Sequence, residues 1–380
     1  MFSLMKIFSL LLLIDTVSGA ANNSYADCLR VAARFATTVS NGPVTNITAT
    51  TGVNVSCPQL SSVSCPGSMI DGVCVFQQKL CVTCINGSSG VVRIRVQSNG
   101  LPRRCFEVPM TVAVSERNVD FEVNFNPDVS VNSPNQAPTS ATALSSLACN
   151  ISNQATVPAA SAYAESSGST RLNALAGVAV DGVNILNVNS INQVDPFYPP
   201  AGFSAEGIDQ CLSHPAGNGE FHYHISSGCM VDPPQGNLTN CSPTIGCLNN
   251  VSSYSLQTFA SFKNLTIIGI AKDGHVIYGP YLSSGVQVTS GFDICNGMFY
   301  DSIGNYAYFA TTTYPYITGC FGPGNYPSFK PNCTTNPAAA YTKSSYAASF
   351  TSSATTISSM TQLIASCLLF MTMITSSKFA

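Results

Sequence analysis

Gly177-Val-Ala-Val-Asp-Gly-Val-Asn-Ile185 is an apolar run that enters an Asp-Gly pair and leaves as a second apolar run. Asp-Gly between apolar segments is the strongest short hairpin signal, because glycine takes the positive φ that a tight turn needs. The pattern returns as Gly269-Ile-Ala-Lys-Asp-Gly-His-Val-Ile277. Its surroundings return with it. Gly207-Ile-Asp-Gln-Cys211 matches Gly291-Phe-Asp-Ile-Cys295, and Gly219-Glu-Phe-His-Tyr-His224 matches Gly304-Asn-Tyr-Ala-Tyr-Phe309. Each copy closes on a cysteine, Cys229 or Cys320. Residues 173–322 therefore read as one β-rich unit with two pseudo-repeated halves, 173–232 and 265–322. Two copies are too few for a solenoid. The expected fold class is mainly β, sandwich-like or barrel-like, in a disulfide-rich extracellular protein.

The chain has four histidines in 380 residues, and two of them are His222 and His224. A His-x-His pair on an extended strand projects both imidazoles from one face, leaving Phe221 and Tyr223 on the other. His214 lies eight positions before His222. Imidazole is the commonest protein metal ligand, and three of them can supply three legs of a tetrahedral site with a fourth position open to water. Zn fits such a set, and Cu fits it about as well. Asp209, Glu220 or Tyr223 could orient the ligand rings, although Tyr223 should face the other way. The bland alternative is that the three imidazoles are hydrogen-bonded packing residues. In the second copy their positions hold Met298, Ala307 and Phe309, so the motif can be built without imidazole. Its framework is Asp209, Cys211, Gly219, Tyr223 and Cys229 in the first copy, with Asp293, Cys295 and Cys320 answering in the second. His275, just after the second Asp-Gly pair, reads as an exposed turn residue before it reads as a fourth ligand.

Composition sets the compartment. Only 9% of residues are charged and the net charge is −3, so no basic footprint for nucleic acid exists. Residues 1–20 have one early lysine, a short apolar run and a small-residue end, the pattern of a signal peptide. Sixteen cysteines agree with export into an oxidising compartment, with a connectivity that sequence alone leaves open. Cys81-Val-Thr-Cys84 has no second pair at zinc-ribbon spacing and is expected to be disulfide-bonded. Asn-x-Ser/Thr sequons stand at Asn22, Asn46, Asn54, Asn86, Asn150, Asn237, Asn240, Asn250, Asn264 and Asn332, which suggests glycan cover.

The rest divides by texture. Residues 21–90 form a Cys-rich module with one short helix within Asp27–Val39, whose buried side should carry Leu29, Ala32, Ala33 and Ala36. Residues 91–172 hold strands at 91–97, Leu101–Pro109, Met110–Val114 and Val119–Phe125, then a linker. Arg93, Arg95, Arg103 and Arg104 read as a solvated hairpin face. Residues 323–356 form a Ser/Thr-rich stalk. Residues 357–380 carry a terminal apolar run, which fits a GPI-anchor signal better than a membrane span. Ala347-Ala-Ser349 and Ser352-Ser-Ala354 are the candidate attachment triplets. Cleavage there would remove Cys367 and leave an odd number of cysteines.

Together, Asp209-x-Cys211-x-x-His214, Phe221-His-Tyr-His224, Asp273-Gly274 with Ile277-Tyr-Gly-Pro280, Asp293-x-Cys295-Asn-Gly and Tyr314-Pro-Tyr316 resemble the YHYH-domain proteins. That family is named for a Tyr-His-Tyr-His motif. The resemblance covers about 91–322 and is densest in 177–321. It implies an exported or surface protein and implies no reaction. Phe221 departs from the first Tyr of the motif. Two readings follow. One is a secreted or surface-anchored glycoprotein that binds one transition metal through His214, His222 and His224 and meets the membrane through its C-terminal tail. The other is a structural or adhesive coat protein without metal.

Overall fold

The computed structural model describes residues 22–108, 112–127, 142, 149, 164–165, 175–187, 190–241, 247–323, 326, 328, 331–336 and 341–347. The expected leader, the apolar tail, the Ser352–Ala354 triplet, Asn150 and most of the linker before 173 lie outside them. Among the described residues no helix is long and apolar enough to cross a membrane.

The chain is mainly β. Its largest sheet has eight strands: β8 (Leu175–Ala179), β9 (Asn184–Leu186), β10 (Ser213–Pro215), β11 (Phe221–Tyr223), β12 (Ile267–Ala271), β13 (Val276–Tyr278), β14 (Gly297–Phe299) and β15 (Tyr306–Phe309). The spatial order is β10-β11-β9-β8-β12-β13-β15-β14. Read outward from the antiparallel β8–β12 pair, each side shows an antiparallel hairpin, a parallel pairing and an antiparallel edge. β10 and β14 are the sheet's open edges, so the barrel alternative is not formed among the described residues.

The Asp-Gly signals mark the two hairpins as expected. Gly182 and Gly274 have φ of +93° and +90°, a region where only glycine is unstrained. The preceding aspartates brace the turns: Asp181 Oδ1 accepts from Val183 N, and Asp273 Oδ1 from His275 N. The strands between are buried on both faces and lack polar alternation. A sheet covered on both sides has that pattern.

The cover on one side begins with β1 (Val53–Cys57), β2 (Ser68–Ile70) and β3 (Val73–Gln78), which form one small sheet. β4 (Leu80–Asn86), β5 (Val92–Ser98), β6 (Val119–Asn124) and β7 (Ala164–Glu165) form another. The β4–β5 hairpin runs across residue 90, and Cys57–Cys105 crosses the same point. The ends of this ribbon sit on the two Asp-Gly turns. Ser98 Oγ donates to Gly182 O, and Asn126 N donates to Gly274 O at 2.8 Å. Phe106 then packs on Phe221, with ring centroids 4.5 Å apart.

Seven disulfides close among the described residues: 28–84, 57–105, 65–74, 149–333, 211–229, 241–247 and 295–320. They are consistent with an extracellular protein. Cys211–Cys229 and Cys295–Cys320 each tie down a loop that follows an Asp-x-Cys turn. Of the Cys-x-x-Cys pair, Cys84 is bridged to Cys28 and Cys81 is a buried free thiol.

Several local expectations fail for identifiable reasons. Helix α1 (Tyr25–Ala32) buries Cys28 and Val31, while Leu29 is 48% exposed. The disulfide through Cys28 turns the helix onto that side. Residues 101–108 are not a strand, although Leu101, Cys105 and Phe106 are buried. Pro102 and the Cys57–Cys105 bridge hold them without a ladder. Residues 112–114 lack strand pairing too. Arg93 and Arg95 pair across the ribbon with Glu122 and Asp120 as surface arginines do, but Arg104 is fully buried.

Candidate metal centre

β10 and β11 pair antiparallel, with His214 directly opposite His222. Strand alternation carries the chain on from Phe221 to His224, one residue past β11. His222 and His224 therefore share a face with His214, and Phe221 and Tyr223 point to the other. The three ligand-capable atoms lie within 4.8 Å of one another, and all three residues are buried. Zn–N bonds of ~2.1 Å at tetrahedral angles set nitrogens ~3.4 Å apart, so the group could hold a metal ion after a small contraction.

Ring orientation is the informative detail. His222 Nδ1 lies 2.9 Å from Glu220 O, and His224 Nδ1 lies 2.7 Å from Asn187 O. A carbonyl oxygen only accepts, so both Nδ1 atoms carry the proton and both Nε2 atoms present lone pairs. Those two Nε2 atoms are 3.0 Å apart. The backbone of Gly207 holds the His214 ring in the same way. Backbone carbonyls that fix the tautomer are what metal-binding imidazoles ordinarily have behind them. Two facing lone pairs call for a cation between them. Burial, reinforced by the neighbouring imidazoles, holds His214 and His224 well below the usual histidine range.

Sequence reasoning missed Glu206. Its Oε2 lies 3.3 Å from His214 Nε2 and 3.5 Å from His224 Nε2. Burial pushes this carboxyl up to about 7, with a smaller push from the Asp195 charge. At neutral pH it can hold a proton against the imidazoles, and a bound cation would displace that proton. Glu206 sits on the long connection between β9 and β10, where no periodic pattern marks it. Its distance from His214 and the scarcity of charge in that stretch were the available signals.

The other expected residues fall into place around this group. Asp209 does not face the imidazoles. Its Oδ1 accepts from Cys211 N and from Ser213 N and Oγ, and its Oδ2 pairs with Arg104 Nη1 at 3.1 Å. Glu220 serves His222 through its backbone, and its carboxylate accepts from Asn184 Nδ2 at 2.8 Å. Tyr223 faces away, as expected, donating to Asp181 Oδ2 at 2.9 Å and accepting from Arg104 Nη2. Gly219 turns the chain with φ of +84°, as Gly304 does at +87° in the second half. Asp293 repeats the Asp209 turn, accepting from Cys295 N and Gly297 N. Its Oδ2 takes a hydrogen bond from Tyr306 OH where Asp209 takes Arg104. Tyr308 bonds Asp273 as Tyr223 bonds Asp181.

Residues 154–291 match the family described as YHYH protein. The chain is a YHYH domain-containing protein. No curated protein and no solved structure matches it. The matched span is narrower than 91–322: it includes the three histidines, β8–β13 and Glu206, and stops before β14. Ser213 Oγ and Tyr223 of the YHYH domain form, with Arg104, a polar layer beneath the histidine strands. Arg104 itself lies outside the matched residues, so the N-terminal ribbon contributes to the support of the site.

His275 corrects the exposed-turn expectation. It is buried at 1% exposure, edge-on to Tyr306 and Tyr308, with Asn126 Oδ1 3.4 Å from its Nδ1. The N-terminal ribbon covers the turn. His275 does not join the three-histidine group.

Proposed function

We propose that this chain is a secreted or surface-anchored glycoprotein whose YHYH domain binds one transition-metal ion, Zn or Cu, through His214, His222 and His224. The observation that carries the reading is the pair of Nε2 atoms 3.0 Å apart, each imidazole pinned by a carbonyl behind it. Met298, Ala307 and Phe309 fill the matching positions of the second half with apolar groups, so the domain is built of two pseudo-repeated halves and binds metal in one. The symmetric strand order and the two equivalent staples support this.

Export and glycosylation draw support from the surface. Asn22, Asn46, Asn54, Asn86, Asn237, Asn240, Asn250, Asn264 and Asn332 are all exposed, whereas Asn99, Asn184, Asn296 and Asn305 are buried and none of these four is a sequon. Attachment to the membrane through the C-terminal tail completes the proposal. Elemental analysis of protein purified from secretion without chelator tests the metal claim. About one equivalent of Zn or Cu per chain, lost in the His222→Ala/His224→Ala double variant, supports it. Metal-free protein supports the coat-protein reading instead.

A further inference from the structure

We infer that Glu206 is the fourth ligand, so that the centre is a closed three-histidine, one-carboxylate site that holds its ion without an open position for water. This rests on the proposed metal reading and narrows it to binding without hydrolysis. Three geometric facts point to it. Glu206 Oε2 is 3.3 Å from His214 Nε2 and 3.5 Å from His224 Nε2, and the His222–His224 nitrogens are 3.0 Å apart. All three separations are within a few tenths of an ångström of the ~3.4 Å edge of a tetrahedron with ~2.1 Å bonds. Glu206 Oε2 and His214 Nε2 are, in addition, buried polar atoms without hydrogen-bond partners. Buried polar atoms are rarely left so, and two of them 3.3 Å apart, beside the His224 nitrogen, mark a place for an ion.

The backbone presents the carboxylate on purpose-built footing. Glu206 N donates to Pro196 O at 2.7 Å, and the next residue, Gly207, holds the His214 ring. One short segment thus sets both a ligand and the ring beside it. The carboxylate stands against two of the three rings, and binding would draw it and His222 onto the same ion. Three imidazoles and a carboxylate are borderline N/O donors, which suits Zn(II), Co(II) or Cu(II) and disfavours Cu(I) and iron–sulfur clusters. Structural sites are closed with four protein ligands, whereas hydrolytic ones keep a position for water.

Co(II) loaded into the full secreted chain reports both coordination number and access. Wild type should give the intense visible bands of four-coordinate Co(II), unchanged by added azide. Glu206→Gln, which keeps size and removes charge, should bind Co(II) at least ~10–100-fold more weakly. Its spectrum should now shift with azide, because a position has opened. Glu206→Asp keeps the charge and withdraws the oxygen, so it should behave like Gln; full rescue by Asp would show an electrostatic role and overturn the inference. An unchanged affinity and spectrum in Gln, or azide binding by wild type, would also overturn it. Wild type that binds no Co(II) at all would fail the metal reading itself, a separate result.

Discussion

Arg104 and Phe221 offer a substitution cycle that tests the proposed pseudo-repeat, with residues 293–308 predicting the behaviour of residues 209–223. Arg104 is fully buried and makes four contacts: Asp209 Oδ2 at 3.1 Å, Ser213 Oγ at 2.7 Å, Tyr223 OH at 3.2 Å and Cys105 O at 2.9 Å. Breaking a buried ion pair from one side costs about 3–5 kcal/mol. Arg104→Met fills much of the same volume but strands the Asp209 carboxylate. Asp209 keeps three hydrogen bonds, from Cys211 N, Ser213 N and Ser213 Oγ. The cost should therefore fall at the lower end, about 3 kcal/mol. In the proposed repeat the matching carboxylate is Asp293, which accepts from Tyr306 OH at 2.6 Å, and Tyr306 pairs with Phe299 on β14 as Phe221 pairs with Pro215 on β10. Adding Phe221→Tyr to Arg104→Met should supply that hydroxyl. A hydrogen bond to a charged group contributes about 1.5–3 kcal/mol, so roughly half of the loss should return. In wild type the same hydroxyl would meet the guanidinium, whose carbon lies 5.9 Å from the Phe221 ring centre. There it should destabilise by about 1–3 kcal/mol through overpacking. Urea unfolding with disulfides intact measures all four proteins, followed by tyrosine fluorescence, since the chain has no tryptophan. Additive effects, with Phe221→Tyr behaving alike in both backgrounds, would refute the equivalence of the two halves at this position. A loss under 1 kcal/mol in Arg104→Met would refute the claim that the buried pair supports the strands.

Two further predictions follow from buried groups. Burial pushes Asp293 up to about 7 and Asp181 to about 6, above the ~3.9 of an unfolded aspartate. The folded protein then holds more protons than the unfolded chain between about pH 4 and 7, so this contribution is full at the acid end and is lost as pH rises. Asp293→Asn mimics the protonated form and should flatten the fall of Tm across that window; an unchanged slope would contradict the burial argument. Cys81 is the free thiol among the described residues, and burial pushes it up and makes it inert in the native state. Denatured, unreduced mature protein should therefore show one thiol if the C-terminal tail, with Cys367, has been removed. Two thiols would show that the tail stays, against the anchor signal.

The sequence was most legible where local rules are strict. Asp-Gly turns and strand alternation at 221–224 have few physical solutions, and the hairpins and the shared histidine face follow from them; the cysteine pairing did not. Legibility failed where a distant segment decides. Arg104 looks like one of four surface arginines until Asp209, 105 positions away, is seen against it. His275 looks exposed until the ribbon ending at Asn126 covers the turn. Glu206 lies on a connection whose path is set by tertiary contacts such as Glu206 N to Pro196 O, which no local period encodes. The barrel alternative was open for the same reason, because closure depends on the two edges and neither edge announces its partner.

Anomalous scattering from a crystal of the metal-loaded protein would locate the ion itself. One peak per chain is expected, about 2.1 Å from a nitrogen of each of His214, His222 and His224. A peak elsewhere, or none between these rings in protein soaked with Zn(II), would contradict this expectation.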